Sequence, residues 1–404
     1  MNKLPLSKQQ IIRFIKKQKN LVKNKELLSL QNSQGRFLFT DLKSKVDIPP
    51  FNNSAVDGYA LLKKNLNKKQ IFYCKRKILA GSKKNLRIKS GEIIRVFTGA
   101  KMPSNSSTVV MQENTIKKNN KIKILKFPSL GDNYRIKGED IKKNQKILLK
   151  GSQINQKNIN LIAASGIKKV EVFKKIKIGF FTSGNELRRP TKNLKKSEIN
   201  NSNYFALNSL LDTSFISKKY LGNLKDNLKV VKKKIFAASK KNNIIITSGG
   251  ASVGEEDHLI KALSDLGDIF FWKAAIKPGK PIALGKINNC YVICLPGNPV
   301  SVQLLFAMLI NPLIKKLSGG NFNLPKSSKI VANFNMQKKT RRMEWLRIIR
   351  KTLNNKNIAI KYPKQGSGMI SSITYSDGII EIDADTSVIK KGDTFDYYDF
   401  DNLF

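Results

Sequence analysis

Three times in this chain an apolar run that reads as a buried strand stops at a glycine-containing loop, with a helical pattern downstream. Lys177-Ile178-Gly179-Phe180-Phe181 runs into Thr182-Ser183-Gly184-Asn185-Glu186, and Ile244-Ile245-Ile246 runs into Thr247-Ser248-Gly249-Gly250. Tyr291-Val292-Ile293-Cys294 runs into Pro296-Gly297-Asn298-Pro299. Strands that are apolar on both faces need cover on both faces, so the pattern predicts a doubly wound α/β domain. In such a sheet ligands bind beyond the carboxyl ends of the strands, which makes these loops the first place to look for chemistry. The third loop also starts a helix. Asn298 stands at the N-cap and Pro299 at the first position, ahead of Val300, Val302, Leu304 and Leu305.

The flanking segments have a different texture. Ser7-Lys8-Gln9-Gln10 is a capping box ahead of Ile11, Ile12 and Ile15, which predicts an N-terminal amphipathic helix. From Pro49 to about Lys137 short apolar runs are split by Gly, Pro and Asn, as in Ile71-Phe72-Tyr73 and Lys121-Ile122-Lys123-Ile124-Leu125. That is a strand-rich module. Beyond Gly319-Gly320, Ile330, Ala332, Phe334 and Met336 alternate with polar residues, and Asn354-Asn355 signals a hairpin turn. A separate small β domain is expected from about residue 322.

Composition narrows the chemistry. A length of 404 residues leaves room for about two to four domains. The single histidine, His258, argues against a His-based triad, a His-rich metal site or an imidazole proton relay. Cys74, Cys290 and Cys294 offer neither a disulfide framework nor a complete zinc set. The longest apolar stretch, Ser301 to Leu313, is interrupted by Gln303 and Asn311 and is too short to span a bilayer. The first residues lack the apolar core of a signal peptide, so a reducing, cytoplasmic setting without a membrane is expected. The formal charge is +48, from 64 Lys and 12 Arg against 28 Asp plus Glu. Base-reading proteins lean on clustered Arg, whereas these cations are scattered. The expectation is no specific nucleic-acid partner, and a surface that draws anionic ligands.

Gly249-Gly250-Ala251-Ser252-Val253-Gly254 opens like a phosphate-binding loop whose backbone N–H groups cradle an oxyanion. A P-loop would continue with Lys-Ser or Lys-Thr. This one continues Glu255-Glu256-Asp257, carboxylates suited to hold Mg²⁺ beside a phosphate. A solvated acidic helix start is the alternative reading. Further acids stand close to glycines: Asp57 before Gly58, Glu139-Asp140 after Gly138, Glu186 after Gly184 and Asp226 after Gly222. An isolated Asp-Gly is a turn signal, and only convergence in space makes such acids a metal site. Lys273, Lys277 and Lys280 surround the turn Pro278-Gly279 and can clamp a phosphate or oxyanion. In a Lys-rich chain, an exposed pair reads equally well. Arg342, Arg347 and Gly366-Ser367-Gly368 carry less by themselves.

Taken together and in order, these segments resemble the molybdopterin molybdenumtransferase family, that of MoeA and the E domain of gephyrin. The resemblance begins with Pro50-Phe51 through Asp57-Gly58-Tyr59-Ala60 and continues with Arg95-Val96-Phe97-Thr98-Gly99-Ala100-Lys101-Met102-Pro103. Asn133-Tyr134-Arg135 with Gly138-Glu139-Asp140 and Thr182 through Leu187 follow, then Ser248 through Gly254 with Asp257. Lys277-Pro278-Gly279-Lys280-Pro281, Leu295 through Ser301 and Gln365-Gly366-Ser367 complete it. Nearly the full length is covered. The chain departs from the family's usual residues at Asn185 and Asn201 (Asp), Asn105-Ser106-Ser107 (Gly-Ala-Asp), Trp345 (Phe) and Gly368 (His).

The resemblance implies a multidomain α/β and β fold. A linking domain is split between 1–45 and 138–172, with a β-rich module of 46–137 inserted into it. An α/β molybdopterin-binding-like domain of 173–321 and a C-terminal β-barrel of 322–404 follow, assembled as an elongated homodimer. The implied activity is a cytoplasmic transferase step of molybdenum cofactor biosynthesis. Adenylylated molybdopterin and molybdate are the substrates, the phosphoanhydride is hydrolysed with Mg²⁺, AMP leaves and molybdenum stays on the dithiolene. A molybdopterin adenylyltransferase and molybdoenzymes are the implied partners. The residues carried over are Asp57, Thr98, Asp140, Glu186, Asp226 and Asp257 for catalysis, with Glu186, Asp226 and Asp257 on the metal. Asp57 and Thr98 are expected to arrive across the dimer. Ser248, Gly249, Gly250, Ser252, Gly254, Lys273, Lys277, Lys280, Pro296, Gly297, Asn298 and Ser301 are expected to bind substrate. Arg342, Arg347 and Ser367 are expected around molybdate. Two alternatives stay open: adenylylation of molybdopterin with ATP, because the α/β part resembles that enzyme too, and a non-enzymatic scaffold. The inserted module and the C-terminal domain favour the transfer step.

Overall fold

In a computed structural model that describes residues 4–66, 71–250, 258–353 and 355–404, the centre of the chain is a six-stranded sheet. Its order is Ile216–Leu224, Ile176–Ser183, Ile244–Ser248, Cys290–Leu295, Ala283–Ile287 and Asp268–Trp272. The first four strands are parallel, Ala283–Ile287 runs against them, and Asp268–Trp272, antiparallel to that strand, runs with the first four. Side chains leave a strand alternately, and here both sets are apolar. Ile178, Phe180, Ile246 and Ile293 enter one core, which holds residues of helices Lys8–Lys17, Ser202–Leu210 and Pro299–Leu305. Phe181, Ile245 and Val292 enter the other, under helices Leu228–Ser239 and His258–Leu266.

The helix that starts at Pro299 continues through a π turn at Phe306–Ile310 to Leu317. Its length and hydropathy would allow a bilayer crossing, but 78% of its most apolar window is buried inside the protein, so it is a core helix. The N-terminal helix Lys8–Lys17 is capped as the sequence predicts. Ser7 Oγ accepts from Gln10 N, and Gln10 Oε1 accepts from Ser7 N. Its buried stripe, Ile11 and Ile15, shares the core of Leu313 and Leu317.

Lys25–Ser29 pairs with Lys169–Phe173, and Leu42–Lys43 with Lys146–Leu148, around a core that includes Leu38, Ile154, Ile162 and Val172. Between these pairs the chain builds a four-stranded sheet (Lys77–Ile78, Ile94–Val96, Gly58–Leu61, Thr108–Met111) and a three-stranded one (Ile71–Tyr73, Lys121–Ile124, Thr115–Lys118). At the C-terminal end, Met343–Leu353, Lys356–Lys361, Ser328–Ala332, Thr394–Asp399 and Gly378–Ile382 pair in that order. Gly378–Ile382 then pairs back onto Met343–Leu353, which closes a five-stranded barrel. Leu353 faces Lys356 across the expected hairpin. Asn355 takes a left-handed φ of 58° there, and Asn354 lies outside the described residues.

Candidate functional site

Register places the three glycine loops together. Ser183 pairs with Leu224, Thr182 with Ser248 and Ser248 with Leu295, so the chain leaves four neighbouring strands at one edge. Ala283 pairs with Cys294 and Trp272 with Ala283, so the connection 273–282 crosses the same edge. Lys273, Lys277 and Lys280 therefore share it with Gly184, Gly249 and Gly297.

At Gly249 the chain approaches the Ser183 turn too closely for a side chain. Gly249 has a φ of 91°, and a Cβ there would lie 2.4 Å from the Ser183 carbonyl oxygen. A Cβ on Gly297 would lie 3.7 Å from Gly249 Cα. Buried polar atoms without partners collect beside these backbones. Ser248 is 1% exposed, and its Oγ, like Thr247 Oγ1, has no hydrogen bond among the described residues. Asn203 donates from Nδ2 to the Gly297 carbonyl at 2.7 Å and leaves its buried Oδ1 unpaired. Unpaired buried groups are uncommon, and in a cleft they are the groups a polar ligand would satisfy.

The acids divide into two places. Glu186 and Asp226 follow the adjacent strand ends Ser183 and Leu224. Both are exposed, and neither forms an ion pair among the described residues. The Glu186 carboxylate folds back over Gly184, where a Cβ would meet its Oε2 at 2.4 Å. Among the described residues, three or more His, Cys, Asp or Glu side chains nowhere gather as a metal cluster. Mg²⁺, however, is usually held by one or two carboxylates, with water and substrate phosphates completing its shell. Free, exposed carboxylates on neighbouring strand ends fit that requirement. Asp257, Ser252 and Gly254 lie outside the described residues.

Asp57 and Thr98 are held to each other in the inserted module. Asp57 Oδ1 accepts from Thr98 N at 2.8 Å and from Thr98 Oγ1 at 2.7 Å. These bonds, the backbone one first, hold the carboxyl below the usual aspartate range. Asp140 is exposed, and its N–H donates to the Ile48 carbonyl. Among the described residues, no hydrogen bond or ion pair joins Asp57, Thr98 or Asp140 to the α/β edge within one chain.

The barrel docks at the same edge. Ile276–Lys277 extends the barrel sheet beside Met343 and Glu344, and the Ser367 carbonyl accepts from Val300 N at 3.2 Å. Lys277 Nζ is 2.9 Å from Glu344 Oε1, so this expected clamp residue already has a carboxylate partner. The Lys273 ammonium lies 4.1 Å from the Trp272 ring centroid, and Lys280 is exposed. Gly279 seats their loop on the helix, because a Cβ there would be 2.9 Å from the Leu305 side chain.

The three residues expected around molybdate are in different situations. Arg342 is exposed beside the junction where Met343 N donates to the Ala275 carbonyl. Arg347 is 1% exposed, and its guanidinium donates to the carbonyls of Trp345, Gln365 and Gly366 and to Ser372 Oγ. Burial pushes its pKa down to about 10, which leaves it charged at neutral pH. It shapes the loop that carries Ser367 and does not face an open cleft. Ser301 is buried in the first turn of the Pro299 helix, and Asn298 is exposed without a side-chain capping bond. Cys290 is buried, which pushes its thiol up to about 12 and removes it as a nucleophile.

One feature was not legible in the motifs. Thr182 Oγ1 meets Tyr220 Oη at 2.9 Å, receives a bond from Asn201 Nδ2 at 2.9 Å and contacts Asn223 Oδ1 at 3.2 Å. Asn223 Nδ2 in turn donates to the Gly184 carbonyl at 2.7 Å. This network ties the Gly184 turn to a cavity of about 490 Å³ lined by Arg189, Pro190, Asn201, Tyr204, Phe205 and Tyr220. Tyr204 packs edge-on against both Phe205 and Tyr220. Aromatic walls with one guanidinium suit a flat, polar heterocycle. Thr182 and Gly184 lay in a quoted motif and Asn201 at a departure from one, whereas Tyr204, Tyr220 and Asn223 lay in none. Tyr220 is 38 residues from Thr182, and sequence periodicity carries no sign of that meeting.

Comparison with known proteins matches most of the chain in three parts. Residues 6–166 match the MoeA N-terminal region (domain I and II), 179–316 a probable molybdopterin binding domain, and 329–400 the MoeA C-terminal region (domain IV). A molybdopterin molybdenumtransferase of Haemophilus influenzae is 33% identical over 94% of this chain and 94% of its own length. A putative molybdopterin biosynthesis protein of Methanocaldococcus jannaschii is 30% identical over 98% of both. The crystal structure of the molybdopterin biosynthesis MoeA protein of Pyrococcus horikoshii superposes with a TM-score of 0.82 at 25% identity, covering 98% of this chain and all of the other.

Proposed function

We propose that this chain, which belongs to the MoeA family of molybdopterin molybdenumtransferases, inserts molybdenum into adenylylated molybdopterin at the glycine-loop edge of its α/β sheet and releases AMP. The place of such an enzyme is molybdenum cofactor biosynthesis. The observation that carries the site is the close approach of Gly249 to the Ser183 carbonyl, with the Ser248 hydroxyl, unpaired among the described residues, buried beside it.

In this reading the Gly250 N–H and the Ser248 hydroxyl hold the phosphoanhydride oxygens, while the Gly249 N–H donates to the Leu295 carbonyl and fixes the loop. Glu186 and Asp226 would hold Mg²⁺, which would supply positive charge beside those oxygens. Lys273, Lys280 and Arg342 draw in molybdate by charge. The aromatic cavity at Tyr204 and Tyr220 takes a ring of the substrate. Asp57 and Thr98 complete the cleft from a second copy of the chain, so the working form is a cytoplasmic homodimer. No protein nucleophile is required, in keeping with the buried, protonated Cys290.

Two expected results test the assignment. Glu186→Gln and Asp226→Asn will each raise the Mg²⁺ concentration needed for half-maximal AMP release about tenfold or more, with an unchanged melting temperature because both side chains are exposed. An unchanged Mg²⁺ requirement would remove both from the metal. Tyr204→Leu will raise KM for the adenylylated substrate about tenfold with little change in kcat, the pattern of a lost ground-state contact. A kcat loss at constant KM would assign Tyr204 to the chemistry instead.

A further inference from the structure

The sheet edge opposite the glycine loops carries three cavities that share walls. The first, about 680 Å³, is lined by Lys16, Lys17, Lys19, Lys23, Lys150 and Lys316. It shares Val22 and Lys23 with a second of about 540 Å³, which adds Lys174, Lys175, Lys177, Lys240 and Lys241 together with Asn24, Asn242, Asn243 and Asn289. Lys177, Lys241 and Asn242 continue into a third of about 460 Å³, which adds Lys219 and Lys234. Lys177 and Asn243 stand where strands Ile176–Ser183 and Ile244–Ser248 begin, and Asn289 stands between Ala283–Ile287 and Cys290–Leu295. This is therefore the amino edge of the parallel strands.

Among the described residues, no Asp or Glu lines any of the three cavities. None of these lysines forms an ion pair among the described residues. Helix dipoles account for part of the pattern, because Lys16, Lys17, Lys240 and Lys316 stand at helix C-terminal ends. They do not account for Lys23, Lys150, Lys174, Lys175 and Lys177, which lie outside helices. Like charges lining connected concavities repel one another until an anion enters, and concave walls focus their field.

We propose that this lysine-lined track binds a linear chain of phosphates, independently of the catalytic edge. Lysines act as point charges and lack the guanidinium fork that reads base edges, and no arginine lines the track. Recognition is therefore of the phosphate chain and not of a sequence. Inorganic polyphosphate and the backbone of single-stranded RNA share this chemistry.

The test uses the full chain and fluorescence anisotropy of a labelled oligouridylate, titrated at several salt concentrations with unlabelled polyphosphate as competitor. One variant combines Lys174→Glu, Lys177→Glu and Lys241→Glu. A matched control combines Lys117→Glu, Lys118→Glu and Lys123→Glu in the inserted module, with the same change in net charge. The track variant is expected to bind at least about tenfold more weakly and to lower the slope of log K against log salt by about two, with the control close to wild type. Equal losses in both variants would overturn the proposal and leave only non-specific attraction to a cationic protein. A set with Gln in place of Glu, checked by thermal melting, separates loss of binding from loss of fold. Displacement by polyphosphate at equal phosphate concentration supports the phosphate-chain reading, and failure to displace overturns it. Whichever chain binds more tightly per phosphate is the source the track is suited to.

Discussion

Gly249→Ala will lower kcat/KM for AMP release by about a hundredfold or more, because a displacement near 1 Å in the cradle is enough for that loss. The new methyl group meets two obstacles. The backbone at φ 91° is one that an L side chain adopts only at a cost of about 1–2 kcal/mol. The Cβ would also sit 2.4 Å from the Ser183 carbonyl oxygen, which is backbone and can move only with its loop. Gly222→Ala separates the two effects. Gly222 has a φ of 103° in the same domain, but a Cβ there meets nothing within 4 Å. It should lose comparable stability in denaturant titrations while keeping activity within a few-fold of wild type. If Gly249→Ala and Gly222→Ala show the same activity, the close approach of the two loops is not what makes the site.

Arg347→Met will destabilise the chain by about 3–5 kcal/mol, the cost of leaving several buried polar groups without their partner. The guanidinium is buried and bridges Trp345, Gln365, Gly366 and Ser372 within the barrel. Methionine fills much of the volume but donates to none of these oxygens. The loop it releases carries Ser367, whose carbonyl accepts from Val300 at the start of the Pro299 helix. The loss should therefore reach the catalytic edge as well as the barrel. Arg342→Met, at an exposed position, should change stability by no more than about 0.5 kcal/mol and act on the KM for molybdate instead. Matched melting curves for the two variants check the contrast. Equal melting temperatures would mean that Arg347 does not hold the loop.

The parts of this fold that could be read in the sequence were those fixed by local chemistry. The apolar runs ending at Gly184, Gly249 and Gly297 became the carboxyl ends of parallel strands, because a run buried on both faces has few other solutions. The Ser7 capping box and the turn between Leu353 and Lys356 formed for the same reason. What periodicity cannot say is which core an amphipathic helix fills. Ile11 and Ile15 enter the α/β core beside Leu313, which is far away in sequence.

The residues of the candidate site were visible as types, and their situations were not. Arg347 is the plainest case: a motif supplies the guanidinium, but only packing decides that carbonyl oxygens consume its donors. Lys277 likewise meets Glu344 only because the barrel docks there. Two departures from the family pattern find a physical reason in the structure. Asn201 donates to Thr182, which a carboxylate in its place could not do, and Trp345 Nε1 donates to Glu381 at 3.0 Å, which a phenylalanine could not do.

A molybdenum transfer of this kind consumes a preformed adenylate. It is tested most directly by measuring AMP released from adenylylated molybdopterin by the purified protein with Mg²⁺ and no ATP, in the presence and absence of molybdate. Mg²⁺-dependent release that molybdate stimulates is expected, with molybdenum appearing on the dithiolene in equal amount. A folded protein that releases no AMP under these conditions, or that turns over only when ATP is supplied, would contradict it.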